Sequence, residues 1–152
     1  MMVDKNLYKN GLRFECQGSG KCCQSRGEYG YVYFTLYDRQ RAAKTLGIKT
    51  QEFTKKYCQK VEGAFALKDN PKSQDCIFLN KNRCGIYSGR PTQCRTWPFW
   101  PEVMNAKKWT QDVAKFCPGV GKGKIYSKEE IEKTLREQVR CDRAVAKEAG
   151  DL

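Results

Sequence analysis

Apolar residues recur with a helical period in one long stretch near the C-terminal end. Ile131, Leu135, Val139, Val145, Ala146 and Ala149 fall within one stripe, preceded by the S-x-x-E capping box of Ser127 and Glu130. The pattern predicts a helix over 128–148 that clamps the core. A second capped pattern lies earlier. Thr35, with Asp38 three residues on, opens a helix over 36–46, and Gly47 stops it. Thr50 is placed to cap a short third helix carrying Phe53 and Tyr57. Residues 29–34, aromatic and β-branched, predict a strand, and residues 61–67 predict another. The polar stretch 68–75, with Pro71, predicts a loop.

From 76 to 126 no period is sustained, and four cysteines stand among prolines and glycines. This middle is expected to be irregular and organised by something other than periodic burial. The chain shows no internal repeat, low-complexity tract or long linker. The expected architecture is α+β: one small domain over 1–152, with two or three helices and short strands around an irregular, Cys-rich, metal-binding region.

Composition sharpens that expectation. The 152 residues include nine cysteines and no histidine. Without histidine there is no Ser-His-Asp triad, no Cys-His dyad, no H-E-x-x-H zinc site and no two-His iron site. Any transition-metal site must be rich in thiolate. The start has no 7–15-residue apolar stretch, so no signal peptide is expected. No run approaches the roughly 18 apolar residues of a membrane span. The expectation is a reducing, cytoplasmic setting, where a cysteine cluster more often binds metal than forms disulfides.

The net charge is +12, from 29 Lys+Arg against 17 Asp+Glu, and it is spread evenly over both halves. There is no basic arm. A Lys-rich solvated surface accounts for the charge, and attraction to an anionic partner is compatible with it.

The cysteines fall into groups. In the first, Cys16-Gln-Gly-Ser19-Gly20-Lys21-Cys22-Cys23, two glycines let the backbone fold tightly so that thiols six and seven apart point at one centre. In the second, Asn80 to Arg83 is a polar turn that lets Cys76 and Cys84 face each other. Cys84-Gly85 is similar to a metal knuckle, and Pro91 suits the first turn of a short helix ending near Cys94. Cys117-Pro118-Gly119 is a third turn. No C-x-x-C occurs, so neither a zinc ribbon nor a thioredoxin-like motif is supported. Ferredoxin spacings are also absent.

Taken together, these residues resemble the bacterial CxxCxxCC cysteine-cluster family of the YkgJ type. The likeness rests on Phe14, Cys16, Ser19, Gly20, Cys22 and Cys23; on Cys76, Phe78 and Leu79; on Cys84, Ile86, Tyr87, Arg90, Pro91, Cys94 and Arg95; and on Pro98, Phe99, Cys117, Pro118 and Gly119. It spans about residues 14–123. It implies a cytosolic domain that chelates zinc or iron, an iron–sulfur cluster included. A flagellin lysine methylase carries a similar cysteine pattern, so the resemblance leaves an enzymatic role open. Ser19 stands where the family's name motif has its second cysteine. The implied ligand set is therefore Cys16, Cys22, Cys23, Cys76, Cys84, Cys94 and Cys117. Seven thiolates can serve two tetrahedral ions if one bridges. They can also make a four-Cys site beside a three-Cys site with an open position, or a four-Cys iron–sulfur cluster with three thiols over.

Cys58 and Cys141 lie outside this pattern, at the flanks of apolar helical stripes, and are expected to be structural thiols. Arg90 and Arg95 bracket Cys94, either stabilising thiolates or making surface ion pairs. Trp97, Phe99 and Trp100 are expected to form a hydrophobic lid over the site. Lys21, Lys122 and Lys124 read as solvated, although Gly119-Val-Gly-Lys-Gly-Lys can contact an anion. Three functions compete: a metal-chelating domain with structural or stored ions; an iron–sulfur or iron enzyme, or its accessory; and, last, a nucleic-acid-binding zinc module. A protein or anionic partner fits any of them, and no membrane partner is expected.

Overall fold

The computed structural model describes residues 3–16, 31–73, 75–81 and 83–151. In chain order the elements are α1 (Lys5–Tyr8), β1 (Leu12–Phe14), α2 (Leu36–Leu46), α3 (Thr50–Tyr57), β2 (Cys58–Val61) and β3 (Ala64–Leu67). There follow β4 (Leu79–Asn80), β5 (Arg83–Cys84), a 3-10 turn (Tyr87–Gly89), α4 (Thr92–Thr96) and a second 3-10 turn (Pro101–Val103). The chain ends with α5 (Ala106–Lys108), a π-helical stretch (Trp109–Ala114), β6 (Val120–Tyr126) and α6 (Lys128–Glu148). The class is α+β, as expected. Its strands form three separate antiparallel pairs, β1 with β6, β2 with β3, and β4 with β5.

The capping signals hold at both long helices. Thr35 accepts a hydrogen bond from the Asp38 N–H, and Gly47 closes α2 in the left-handed region at φ 69°. Ser127 and Glu130 make the reciprocal capping box of α6. The third helix starts at Thr50 but its N-cap is Lys49, which makes no side-chain cap bond. The predicted strand over 61–67 is a hairpin instead. Val61 pairs with Ala64 around Glu62 and Gly63, whose φ values of 51° and 90° make the left-handed two-residue turn that hairpins favour. The predicted 29–34 strand shrinks, within the described residues, to one bridge between Tyr33 and Ala66.

Two hydrophobic clusters form the interior. One gathers Tyr8, Phe14, Phe99, Met104, Trp109, Val113, Ile131 and Leu135. The other gathers Val32, Phe34, Ala42, Ala43, Phe53, Cys58, Leu67 and Ile86. α6 spans both. Its first turns supply Ile131 and Leu135 to the first cluster, while Ala149, just past its end, packs against the Gly63 turn. Glu148 receives Arg39 at 2.9 Å and the Leu36 N–H at 3.1 Å, so the end of α6 fills the start of α2.

The α6 stripe differs from the predicted one at its centre. Val139 is exposed, and Gln138 is buried in its place. Gln138 accepts from the Thr96 hydroxyl at 2.5 Å and donates to Asp142 at 3.0 Å. A buried amide with both ends bonded is tolerated where an apolar side chain was expected.

A candidate thiolate metal centre

The site is built on α4, a helix of five residues that holds Cys94 at its middle. So short a helix is not stable by itself. Side chains from elsewhere complete it. The fully buried Asp38 accepts the Thr92 N–H at 3.1 Å and the Thr92 hydroxyl at 2.8 Å, which fills the N-terminal end. At the other end Trp100 Nε1 donates to the Gln93 carbonyl at 2.9 Å and to Thr96 at 3.0 Å. Thr96 in turn donates to Gln138 on α6. α4 is therefore fastened to α2 and α6, and Cys94 is held on a fixed element. Gln93, beside it, accepts the Tyr33 N–H at 3.1 Å and donates to the Tyr31 carbonyl at 3.2 Å.

The β1–β6 pair brings Cys16 and Cys117 to the same cleft. Phe14 pairs with Val120, and the Glu15 N–H donates to the Gly119 carbonyl at 3.1 Å. Cys16 follows this contact and Cys117 precedes it. A Cβ on Gly119 would overlap the Glu15 carbonyl oxygen, so the third turn needs glycine for close approach of backbone to backbone. The strand β6 itself was not legible as a strand. It holds glycines in the left-handed region at Gly121 and Gly123, φ 83° and 69°, and a Cβ on Gly123 would overlap the Glu15 side chain.

Cys16, Cys94 and Cys117 line one cleft of about 610 Å³, with Arg90, Arg95 and Trp97 in its walls. Tyr87, Lys124, Tyr126 and Glu137 also line it. The two arginines bracketing Cys94 thus line the same cleft as the thiols, and one of them is ion-paired as well. Arg95 binds Glu137 of α6, and that hydrogen bond, first among its causes, pushes the guanidinium above its ordinary value. Glu137 escaped the sequence reading, because it lies off the apolar stripe and has no motif of its own. Lys124 pairs with Glu130 at 2.6 Å and Lys122 is exposed; Lys21 lies outside the described residues.

Cys76 and Cys84 are half-buried and pack, with Cys94, against the second hydrophobic cluster. Cys84 pairs with Leu79, and Cys76 accepts the Leu79 N–H through its carbonyl at 3.0 Å. The Gly85 N–H goes to the Phe78 carbonyl at 2.7 Å, so it is directed to an oxygen and not to a cysteine sulfur as in a metal knuckle. Cys22, Cys23 and Ser19 lie outside the described residues. Among the described residues no three Cys, Asp or Glu side chains converge closely enough to hold an ion.

The aromatic residues act as a wall more than a lid. Phe99 is buried and stacks with Trp109 at 6.1 Å. Trp97 meets Trp100 edge-on at 4.7 Å and Phe116, the neighbour of Cys117, at 6.2 Å.

Cys58 and Cys141 are 5% and 8% exposed free thiols. Burial pushes Cys58 up to about 11, against the pull of Arg39 and Lys68. Burial pushes Cys141 up to about 12, with Asp38 and Asp142 adding to it. Both are buried in the interior, where a cysteine packs as a small apolar side chain. Cys58 begins β2, however, and does not sit on a helix.

Residues 15–118 match the CxxCxxCC family, described as "Putative zinc- or iron-chelating domain". The chain belongs to this family. Two uncharacterized proteins of Methanocaldococcus jannaschii are similar in sequence. MJ0939 is 28% identical over 137 residues, covering 84% of this chain and 44% of its own length. MJ0661 is 32% identical over 128 residues, covering 79% of this chain and 66% of its own. The chain thus spans less than two thirds of either relative. No solved structure matches. The CxxCxxCC match begins at the β1–Cys16 junction and ends at Pro118, so it takes in Cys16, Cys94, Cys117 and both arginines of the cleft, while Lys124, Tyr126 and Glu137 lie beyond it. The donor set suits a thiophilic ion: the chain offers cysteine and no histidine, and cationic side chains stand beside three of the thiols.

Proposed function

We propose that the chain chelates zinc or iron through the thiolates of Cys16, Cys22, Cys23, Cys76, Cys84, Cys94 and Cys117, in the reducing cytosol. One observation carries the reading. Three of these cysteines, from distant parts of the chain, line a single cleft with two arginines in its walls. Cys16 is exposed and Cys94 and Cys117 are half-buried, whereas Cys58 and Cys141 are buried thiols. Arg90 and Arg95 offset the negative charge of a thiolate-rich centre in this cleft. Zinc bound there supplies a structural tie, and iron supplies one-electron chemistry. The protein's own part is to fix Cys94 on α4, to hold Cys16 and Cys117 in one cleft through the Glu15–Gly119 contact, and to limit water on the Trp97 side.

The test is metal content of anaerobically purified protein, compared between Cys94→Ser and Cys58→Ser. Loss of metal in the first and retention in the second is expected. The reverse result overturns the ligand set.

An enzymatic centre is the second reading. At about 610 Å³ the cleft has the size of a small-molecule site, larger than an ion requires. Turnover of a metal-replete preparation on a substrate that enters the cleft, abolished by Cys94→Ser, supports it.

A further inference from the structure

Arg90 is held in an unusual way. Its guanidinium carbon lies 3.9 Å from the centre of the Tyr87 ring, and its Nε donates to the Tyr87 carbonyl at 2.9 Å. Its own carbonyl accepts from Arg41 at 2.9 Å, which fixes the backbone as well. Yet among the described residues Arg90 pairs with no carboxylate, while Arg95 is matched by Glu137 and Lys124 by Glu130. The two terminal nitrogens carry four N–H donors in a planar fork, and no described group takes them. A guanidinium locked by a ring and a backbone oxygen has little side-chain entropy left to lose on binding. It stands in the wall of the cleft, alongside Cys94.

We propose that Arg90 anchors an oxyanion, a carboxylate or a phosphate, in this cleft beside the thiols. The inference rests on the metal-centre reading for its role, since the anion would then be presented next to the ion. It stands apart from that reading in its chemistry. Planar, two-toothed recognition is what a guanidinium offers and an ammonium does not. Tyr87 is the positioning residue: it aims the fork and contributes no charge. The ligand would be small or terminal, because the cleft admits a group of metabolite size, or the carboxylate end of a side chain.

The experiment is calorimetric titration of inorganic phosphate, and separately of succinate, into the full chain at low ionic strength. Metal content is measured on every sample. Wild type is expected to bind at least one probe, and the responding probe tells phosphate from carboxylate. Arg90→Gln is expected to weaken binding about 10-fold or more, and Arg90→Lys to weaken it despite keeping the charge. Arg136→Gln, an exposed arginine outside the cleft, should leave the affinity unchanged. If Arg90→Gln loses its metal, Tyr87→Ala carries the test, because it alters no charge and should still weaken binding. No binding of either probe to wild type at millimolar concentration overturns the inference. So does equal weakening by Arg136→Gln, which marks a general effect of net charge. A metal-free wild type that binds through Arg90 removes the metal centre and keeps the anion site. A metal-replete Arg90→Gln with unchanged affinity removes the anion site alone.

Discussion

The division of the cysteines into two kinds predicts how they react. Thiolate is the species that alkylating reagents attack, so the rate at each cysteine follows its ionised fraction. With Cys58 raised to about 11, roughly one thiol in a thousand is ionised at pH 8. With Cys141 raised to about 12, the fraction is roughly one in ten thousand. The same residues in the unfolded chain, near the ordinary value of 9.0, are ionised at about one in ten. Folding should therefore slow alkylation about 100-fold at Cys58 and about 1,000-fold at Cys141, before any steric exclusion by the core. The assay is timed iodoacetamide labelling at pH 8, native and in denaturant, with each cysteine read by peptide mass. Between pH 8 and 10 both native rates should climb about tenfold per unit, because ionisation is still far from complete. A native rate within tenfold of the denatured rate at either residue refutes the assignment. It would mean that the thiol is exposed or ionised, and so a ligand candidate after all.

Three further expectations follow from particular contacts. Glu148→Ala leaves the 9%-exposed Arg39 side chain unpaired and the Leu36 N–H without its acceptor, so denaturant unfolding should show a loss of about 1.5–3 kcal/mol with metal content unchanged. Gly119→Ala forces the Glu15 carbonyl away and moves Cys16 from Cys117; metal affinity should drop more than about tenfold by chelator competition, and unchanged affinity contradicts the role of that turn. The buried thiols also predict alkaline sensitivity. Both have folded values above their unfolded one, so their contribution is complete below pH 9 and is lost as pH rises toward 11 and 12, with a slope of up to about 1.4 kcal/mol per pH unit for each. Cys58→Ala with Cys141→Ala should flatten that slope.

What could be read from the chain, and what could not, divides along a physical line. Caps are local. Thr35 with Asp38, Gly47, and Ser127 with Glu130 bond within a few residues of themselves, so α2 and α6 were placed from sequence alone. Pairings are not local. β6 carries two left-handed glycines and no alternation, and it becomes a strand because β1 and the Glu15 side chain lie against it. The hairpin over 58–67 carries a local signal in Glu62-Gly63, but it is weaker than Asn-Gly and does not interrupt the strand-like pattern over 61–67. Val139 and Gln138 exchanged places because Gln138 finds two polar partners, Thr96 from α4 and Asp142 one turn further along α6, and an apolar periodicity records neither. In the site, the motif around Arg90, Pro91 and Cys94 was legible because its residues are neighbours. That Cys16, Cys94 and Cys117 line one cleft depends on the β1–β6 pair and on Asp38 gripping α4, and neither contact leaves a spacing to read.

The central claim is that a thiolate-only centre sits in this chain. X-ray absorption on anaerobically purified protein tests it most directly, since it reports both the element and the atoms around it. The account predicts zinc or iron with a first shell of sulfur at about 2.3 Å and none of the outer-shell scattering of imidazole, because the chain has no histidine. A protein free of both metals, or an ion surrounded by oxygen and nitrogen alone, contradicts it.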